Sequence, residues 1–362
     1  MGLSVGIVGL PNSGKSTLFN ALTRAGAQVG NYPFTTIEPN TGIVPVPDPR
    51  LDRLAAIFRP PRVIPATVTF TDIAGLVRGA SRGEGLGNQF LGHIRECDAI
   101  LLVARAFDDP DVSHVEGAVD PARDLEVVEL ELELADLETV TRRLERAEKT
   151  AKLQKEKAAE AIDVMRRARD HLDAGHPVRT LSLSAEERAH LRDLFLLTDH
   201  PLIVVVNMGE GAAAGEPPHQ ITELARAHGG DAMVISALIE AEISELQPED
   251  RREFLDSLGL AEPGLDRLAR EAYALLELIT FFTAGEKEVR AWTLRRGGTA
   301  VEAAGTIHTD FARGFIRAEV VDAEELIAAG SYAAVRDAGR QRLEGRDYVV
   351  RDGDVVHFRF NV

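Results

Sequence analysis

Apolar, largely β-branched runs recur along the chain at Ser4–Val8, Thr67–Phe70, Ala99–Val103, Leu202–Val206 and Met233–Ile235. Stretches of helical spacing separate the early ones. Short buried strands alternating with helices predict an α/β fold built on a doubly wound parallel sheet, whose ligands bind at the carboxyl ends of the strands. Between Val103 and Leu202 no strand pattern occurs. There, Leu130, Leu134, Leu137, Thr141 and Leu144 keep a three–four spacing, and Ile162, Met165, Arg169 and Leu172 continue a similar one. This predicts a long amphipathic helical hairpin inserted into the sheet domain, with the leucine stripe as its own seam. Glu148 to Lys157 is nearly free of large apolar residues and reads as the tip, and Gly175-His176-Pro177 is a stop signal. After Leu278 the pattern changes. Val289–Leu294 and Phe315–Val320 alternate like strands, Gly297-Gly298 marks a turn, and Asp352-Gly353 lies between Tyr348–Val350 and Val355–Phe360 as a hairpin-type turn. The predicted division is a sheet domain over 1–122 and 200–278, a helical insertion over 123–199, and a small α+β module over 279–362.

Composition changes this picture little. Of 362 residues, 44% are apolar and 27% charged, as in ordinary soluble domains. A single cysteine, Cys97, excludes an internal disulfide and fits a reducing compartment. No apolar run approaches a membrane span, and the chain enters its first strand without a signal peptide, so a cytoplasmic location and no membrane partner are expected. Nothing in the pattern demands more than a monomer. The net charge of −17 argues against a general nucleic-acid binder, but the charge is uneven. Asp120–Thr141 carries eight acids and one base, whereas Arg142–Arg169 carries ten bases and five acids. The basic half is either a phosphate-contacting face or a solvated helix laced with ion pairs.

The most specific chemistry lies at Gly9-Leu10-Pro11-Asn12-Ser13-Gly14-Lys15-Ser16, directly after the first strand and before a helical run. This is the phosphate-loop pattern G-x-x-x-x-G-K-[ST]. Its glycines let the segment Pro11–Thr17 wrap a phosphate chain, with the N–H groups of Asn12–Thr17 available to its oxygens, and the following helix adds its positive N-terminal end. Lys15 can neutralise the outer phosphates, and the Ser16 hydroxyl can ligate Mg2+. Asp72-Ile73-Ala74-Gly75 follows the second strand. Asp72 fits a magnesium-holding aspartate and Gly75 an amide facing the terminal phosphate. In the intervening loop Asn31–Asn40, Thr36 is the residue expected to close onto magnesium, with Thr35 as the alternate.

Base choice should come from Asn207-Met208-Gly209-Glu210, after the strand Leu202–Val206. The guanine-selective pattern is N-K-x-D, whose aspartate accepts two hydrogen bonds from guanine. Met208 and Glu210 depart from it, and a glutamate carboxylate cannot occupy the same point. Loss of a bidentate charged contact favours ATP over GTP. Asn207 and backbone groups can serve either base, and Ser236-Ala237-Leu238 stands where backbone amides reach the base. In the position after Gly75, where switch enzymes carry a water-orienting glutamine, stands Leu76. Turnover is therefore very slow, or another group supplies the function: Arg82, Glu84 and Asn88 in the glycine-rich loop, His93 in the next helix, or His114 in a second loop. Asn12 can offer its carbonyl oxygen to a monovalent cation, so K+ is a candidate cofactor beside Mg2+.

Together, G-L-P-N-S-G-K-S, N-Y-P-F-T-T-I-E-P-N, D-I-A-G-L-V-R-G-A and N-M-G-E resemble the YchF family of Obg-like ATPases, over essentially the whole chain. Thr306–Ala318 looks like the TGS module of that family. The resemblance implies a translation-factor-class P-loop NTPase with an inserted coiled-coil hairpin and a C-terminal ubiquitin-like TGS domain. It further implies preference for ATP, with an N-x-x-E base motif, and association with ribosomes (the large subunit or the 70S particle) and rRNA through the hairpin and TGS module. A regulatory role in translation or stress follows by the same resemblance. It also assigns to His114 the missing glutamine's role, with Lys15 and Gly75 as the other catalytic groups. Two alternatives stand beside it: a nucleotide-gated adaptor whose hydrolysis is incidental, and a GTPase with an altered base motif.

Overall fold

The apolar runs form the expected strands, most of them somewhat longer than their pattern. The structure, a computed structural model, describes residues 3–26, 40–73, 75, 86–109, 117–151 and 157–361. The first sheet contains β1 (Ser4–Val8), β2 (Asn40–Pro45), β4 (Thr67–Asp72), β5 (Ala99–Ala106), β6 (Leu202–Met208) and β7 (Gly230–Ile235), in the order β2-β4-β1-β5-β6-β7. From β4 to β7 all neighbours are parallel. The central β5 is buried from Ala99 to Arg105, as a parallel sheet covered on both faces requires. Helices α1 (Lys15–Gly26), α3 (Leu86–Arg95), α7 (His219–Ala227), α8 (Ala237–Glu245), α9 (Pro248–Ser257) and α10 (Gly264–Leu275) accompany these strands in the chain. One core joins Val8, Leu102, Val204 and Val206 of the strands to Ile94 of α3 and Ile221 of α7.

The insertion is a helical hairpin, α4 (Pro121–Ala151) and α5 (Lys157–Asp173), followed by the short α6 (Ala185–Ala189). Gly175, at φ 76°, ends it as its stop signal predicts. The expected tip falls largely on 152–156, outside the described residues. The seam differs from the predicted stripe. Leu130 and Leu134 are 53% and 41% exposed, while Val140 and Leu144 pack with Val164, Met165, Ala168 and Leu172. The reason is that the first half of α4 lies on the sheet domain and buries Leu125, Val128, Leu132 and Ala135 there. Only beyond Leu137 does it face α5. The basic half is partly spent within the chain. Arg142 pairs with Glu138 and Arg166 with Glu148, while Arg167 pairs with Glu187 and donates to the Ser182 carbonyl.

Two compact units emerge: residues 1–43 with 69–267, and residues 44–68 with 268–362. The helical insertion belongs to the first. The second departs from the sequence-based boundary, which left 44–68 and 268–278 with the sheet domain. In that segment Asp48 caps α2 (Pro49–Phe58) by accepting from the Arg50 amide, with Pro49 in the first turn. Leu51 and Leu54 of α2 are buried. β3 (Val63–Ile64) runs parallel to β9 (Val289–Arg295), and Arg50 binds Asp352 at 2.7 Å. The second sheet reads β11 (Arg342–Glu344), β10 (Phe315–Asp322), β12 (Asp354–Phe360), β8 (Leu278–Ala284), β9, β3. The helix α11 (Ala300–Ile307) packs its alanines against this sheet, opened by a capping box from Thr299 and Glu302. Antiparallel β8–β9, a helix, and β12 parallel to β8 match the expected ubiquitin-like module. Asp352-Gly353 does not close a hairpin. Asp352 Oδ1 accepts from Thr280 N and Gly353 N donates to Thr280 O, so the turn stitches the chain to β8 and feeds β12 between β8 and β10.

Candidate nucleotide-binding site

The parallel register brings the loops after β1, β4, β5, β6 and β7 to one edge of the first sheet. There the loops after β1, β5, β6 and β7 line a cavity of about 640 Å³, with Asp72 at the end of β4 reaching its Ser16. The phosphate loop forms one wall. Asn12 is left-handed at φ 64° and Gly14 at φ 94°. A Cβ on Gly14 would stand 2.1 Å from Asn207 Nδ2, so only glycine fits. Asn207 Nδ2 donates to the Ser13 carbonyl at 2.9 Å, and its Oδ1 accepts from Ala237 N at 3.0 Å. This buried side chain thus clamps the phosphate loop to the start of α8. Each of these bonds uses one of the two hydrogens and one of the two lone pairs that a carboxamide offers, and Asn207 itself lines the cavity beside Met208 and Glu210.

Lys15 is 7% exposed, and its Nζ donates to the Leu10 carbonyl at 2.8 Å. Burial pulls its pKa down to about 8, against the opposing attraction of Asp72. Burial pushes the Asp72 carboxyl above the usual carboxylate range, with Lys15 and the Ser16 hydroxyl holding it back. Ser16 Oγ donates to Asp72 Oδ2 at 3.3 Å. A hydroxyl and a desolvated carboxylate in contact form an oxygen donor set suited to a hard divalent cation. Gly75 lies against the phosphate loop: a Cβ there would be 3.2 Å from Pro11 N.

A phosphate chain favours the ammonium form of Lys15. Above pH 8 the free site must therefore take up a proton to bind ATP. Affinity is expected to fall as pH rises, by about fivefold between pH 8 and 9 as the protonated fraction drops. Calorimetry in two buffers of different ionisation heat should show proton uptake at pH 9; its absence would refute the assignment.

Of the residues expected from sequence, Asn12, Gly14, Lys15, Ser16, Thr17, Asn207, Met208, Glu210, Ser236, Ala237 and Leu238 line the cavity. Pro11 and Ser13 are not in the lining: Pro11 lies against Gly75, and Ser13 is buried with its carbonyl on Asn207. Thr35, Thr36, Leu76, Arg82, Glu84 and His114 lie outside the described residues, as does the side chain of Asn88. The structure adds Phe107, Asp108, Asp109 and Gly209 to the lining. Phe107 is held by Arg105, whose guanidinium lies 4.5 Å over its ring and whose Nε donates to its carbonyl. The signal in the sequence was the carboxyl end of the strand Ala99–Val103, where such sheets place ligands.

A phosphate loop, an aspartate after β4, and an asparagine closing β6 on a parallel sheet define a G-domain type of P-loop nucleotide-binding protein. The comparisons narrow this class. Residues 4–129 match the family described as 50S ribosome-binding GTPase, and residues 278–361 match YchF-GTPase_C, described as a protein of unknown function (DUF933). Ribosome-binding ATPase YchF of Bacillus subtilis is 50% identical and that of Escherichia coli O157:H7 51% identical, each over 100% of both chains. The structure titled as the Schizosaccharomyces pombe YchF GTPase superposes with a TM-score of 0.87 at 37% identity, covering 99% of this chain and 97% of that one. The chain belongs to the YchF family of ribosome-binding ATPases.

Proposed function

We propose that the chain is a ribosome-binding switch that binds and hydrolyses ATP in preference to GTP, and that its ATP and ADP forms present different surfaces to the translation machinery. The observation that carries this reading is the continuity of the cavity from Lys15, Ser16 and the nearby Asp72 at one end to Met208, Glu210 and Ser236–Leu238 at the other. Phosphate-end residues alone would fit any nucleotide. Glu210 carries its carboxylate one methylene further than the aspartate of the guanine-selective pattern, away from the point that accepts two hydrogen bonds from guanine. The curated relatives named above are ATPases by name, which agrees, although the similar S. pombe structure is titled a GTPase.

Ser16 and Asp72 would hold magnesium, with Thr36 joining when a terminal phosphate is present; the ion supplies charge neutralisation between the outer phosphates. Lys15 leaves its Leu10 carbonyl to pair with those phosphates, and the Gly75 amide faces the terminal one. Asn12 would contribute to a potassium site supplying positive charge. His114 positions the attacking water in place of the absent glutamine. The basic half of the hairpin and the second unit would contact ribosomal RNA, chiefly through cations other than Arg166 and Arg167, which are already paired.

His114→Ala is expected to lower kcat for ATP by about 10²-fold with little change in KM, the lower range for a positioned acid–base group. Steady-state ATPase assays in potassium and in sodium, with and without ribosomes, measure this together with any cation requirement. An unchanged rate would favour the second reading, a nucleotide-gated adaptor, which Leu76 in the glutamine position supports.

A further inference from the structure

Away from the nucleotide cavity, three side chains from separate parts of the sequence converge at the root of the hairpin. Glu129 and Glu133 stand one turn apart on α4 and so share a face. His228 caps the C-terminal end of α7, with its Nδ1 3.5 Å from Glu129 Oε2 and 3.8 Å from Glu133 Oε1. One donor atom from each of the three can be chosen so that all lie within 4.8 Å of one another. Glu129 is 0% and Glu133 5% exposed. Even so, Glu129 Oε1, Glu133 Oε1 and His228 Nδ1 have no hydrogen-bond partner among the described residues. Arg179 takes only the other oxygen of Glu129, at 2.6 Å. Buried charges are ordinarily paired or ligate metals. One guanidinium against two buried carboxylates leaves both negative charge and lone pairs unanswered.

We propose that Glu129, Glu133 and His228 bind a divalent transition-metal ion, with zinc as the probe. Two carboxylates and an imidazole suit zinc, iron or manganese, whereas calcium and magnesium prefer oxygen alone. Ligands about 2.1 Å from zinc stand about 3.4 Å apart around a tetrahedron. The two His228 separations are close to this, and the wider spacing closes by side-chain rotation. Arg179 fixes the Glu129 carboxylate, the kind of outer contact that orients a metal ligand. The ion would lock α4 to α7 and so fix the hairpin root to the sheet domain. The competing arrangement is an imidazolium shared between the carboxylates with no metal.

The test uses the full chain, stripped with a chelator, saturated with ADP and millimolar Mg2+ to occupy the nucleotide site, and titrated with Zn2+ by calorimetry. The expected result is one equivalent bound despite the magnesium, with Glu133→Gln and His228→Ala each weakening affinity by at least about tenfold. No stoichiometric uptake, or wild-type affinity in either variant, would overturn the proposal. If a variant fails to fold, the Co2+-loaded wild-type chain decides. Hyperfine-shifted proton resonances from one imidazole support the site, and their absence contradicts it.

Discussion

Lys15→Ala is expected to lower kcat/KM for ATP by roughly 10²- to 10³-fold, the range for removing a preorganised charge stabiliser from a dry site. The Lys15 ammonium is buried, held by the Leu10 carbonyl, and does more than the Ser16 hydroxyl to hold the Asp72 carboxyl down. Its removal leaves the outer phosphates unneutralised and Asp72 less compensated. Stability should respond quite differently. The folded pKa of about 8 lies below the unfolded value, so at pH 7 the charged lysine opposes folding, an effect that fades as pH rises through 8 towards 10.5. Replacing it relieves that cost, and the Tm at pH 7 should stay near the wild-type value. Steady-state kinetics beside thermal unfolding separates the two effects. A collapse of Tm matching the loss of activity would mean that Lys15 is structural.

Gly14→Val should weaken nucleotide binding by at least about 100-fold. The left-handed φ of 94° costs a β-branched residue on the order of 1–3 kcal/mol. The added Cβ would also displace Asn207, whose Nδ2 is 2.1 Å from its position. Asn207 would then release both the Ser13 carbonyl and the Ala237 amide, each worth about 1–3 kcal/mol when left buried and unpaired. These costs fall on the free protein too, where the loop relaxes to avoid them; a cost of about 3 kcal/mol to reassemble it around phosphates corresponds to about two decades in affinity. Asn207→Ala removes the clamp without the backbone strain and should therefore show a smaller loss. Calorimetric ATP affinities of the two variants check the order; a larger loss for Asn207→Ala would contradict the steric argument.

Much of this architecture was legible in the sequence because parallel strands buried on both faces must be apolar throughout. That pattern located β1, β4, β5, β6 and β7. The phosphate loop was legible for a different reason: the backbone demands of Gly14 and the charge of Lys15 cannot be met by other residue types. What escaped were features that depend on distant partners. The segment 44–68 carries ordinary helix and turn signals, and nothing local says that Leu51 and Leu54 bury themselves in the second unit. The leucine stripe had the right period for a seam, yet Leu130 and Leu134 face outward because the sheet domain claims the other side of α4. Phe107 joined the cavity through the sheet's topology rather than through any motif. Likewise Glu129 and Glu133 were two of eight acids in one run, and nothing local says that His228 and Arg179 close over them.

Everything proposed for the nucleotide cycle depends on the base end of the cavity selecting ATP. The most direct test is a calorimetric titration of the wild-type chain with ATP and with GTP, magnesium and potassium present. ATP should bind more tightly, by tenfold or more, the size of one lost charged hydrogen-bond pair. Tighter GTP binding would contradict it and would place a conventional GTPase cycle on this site.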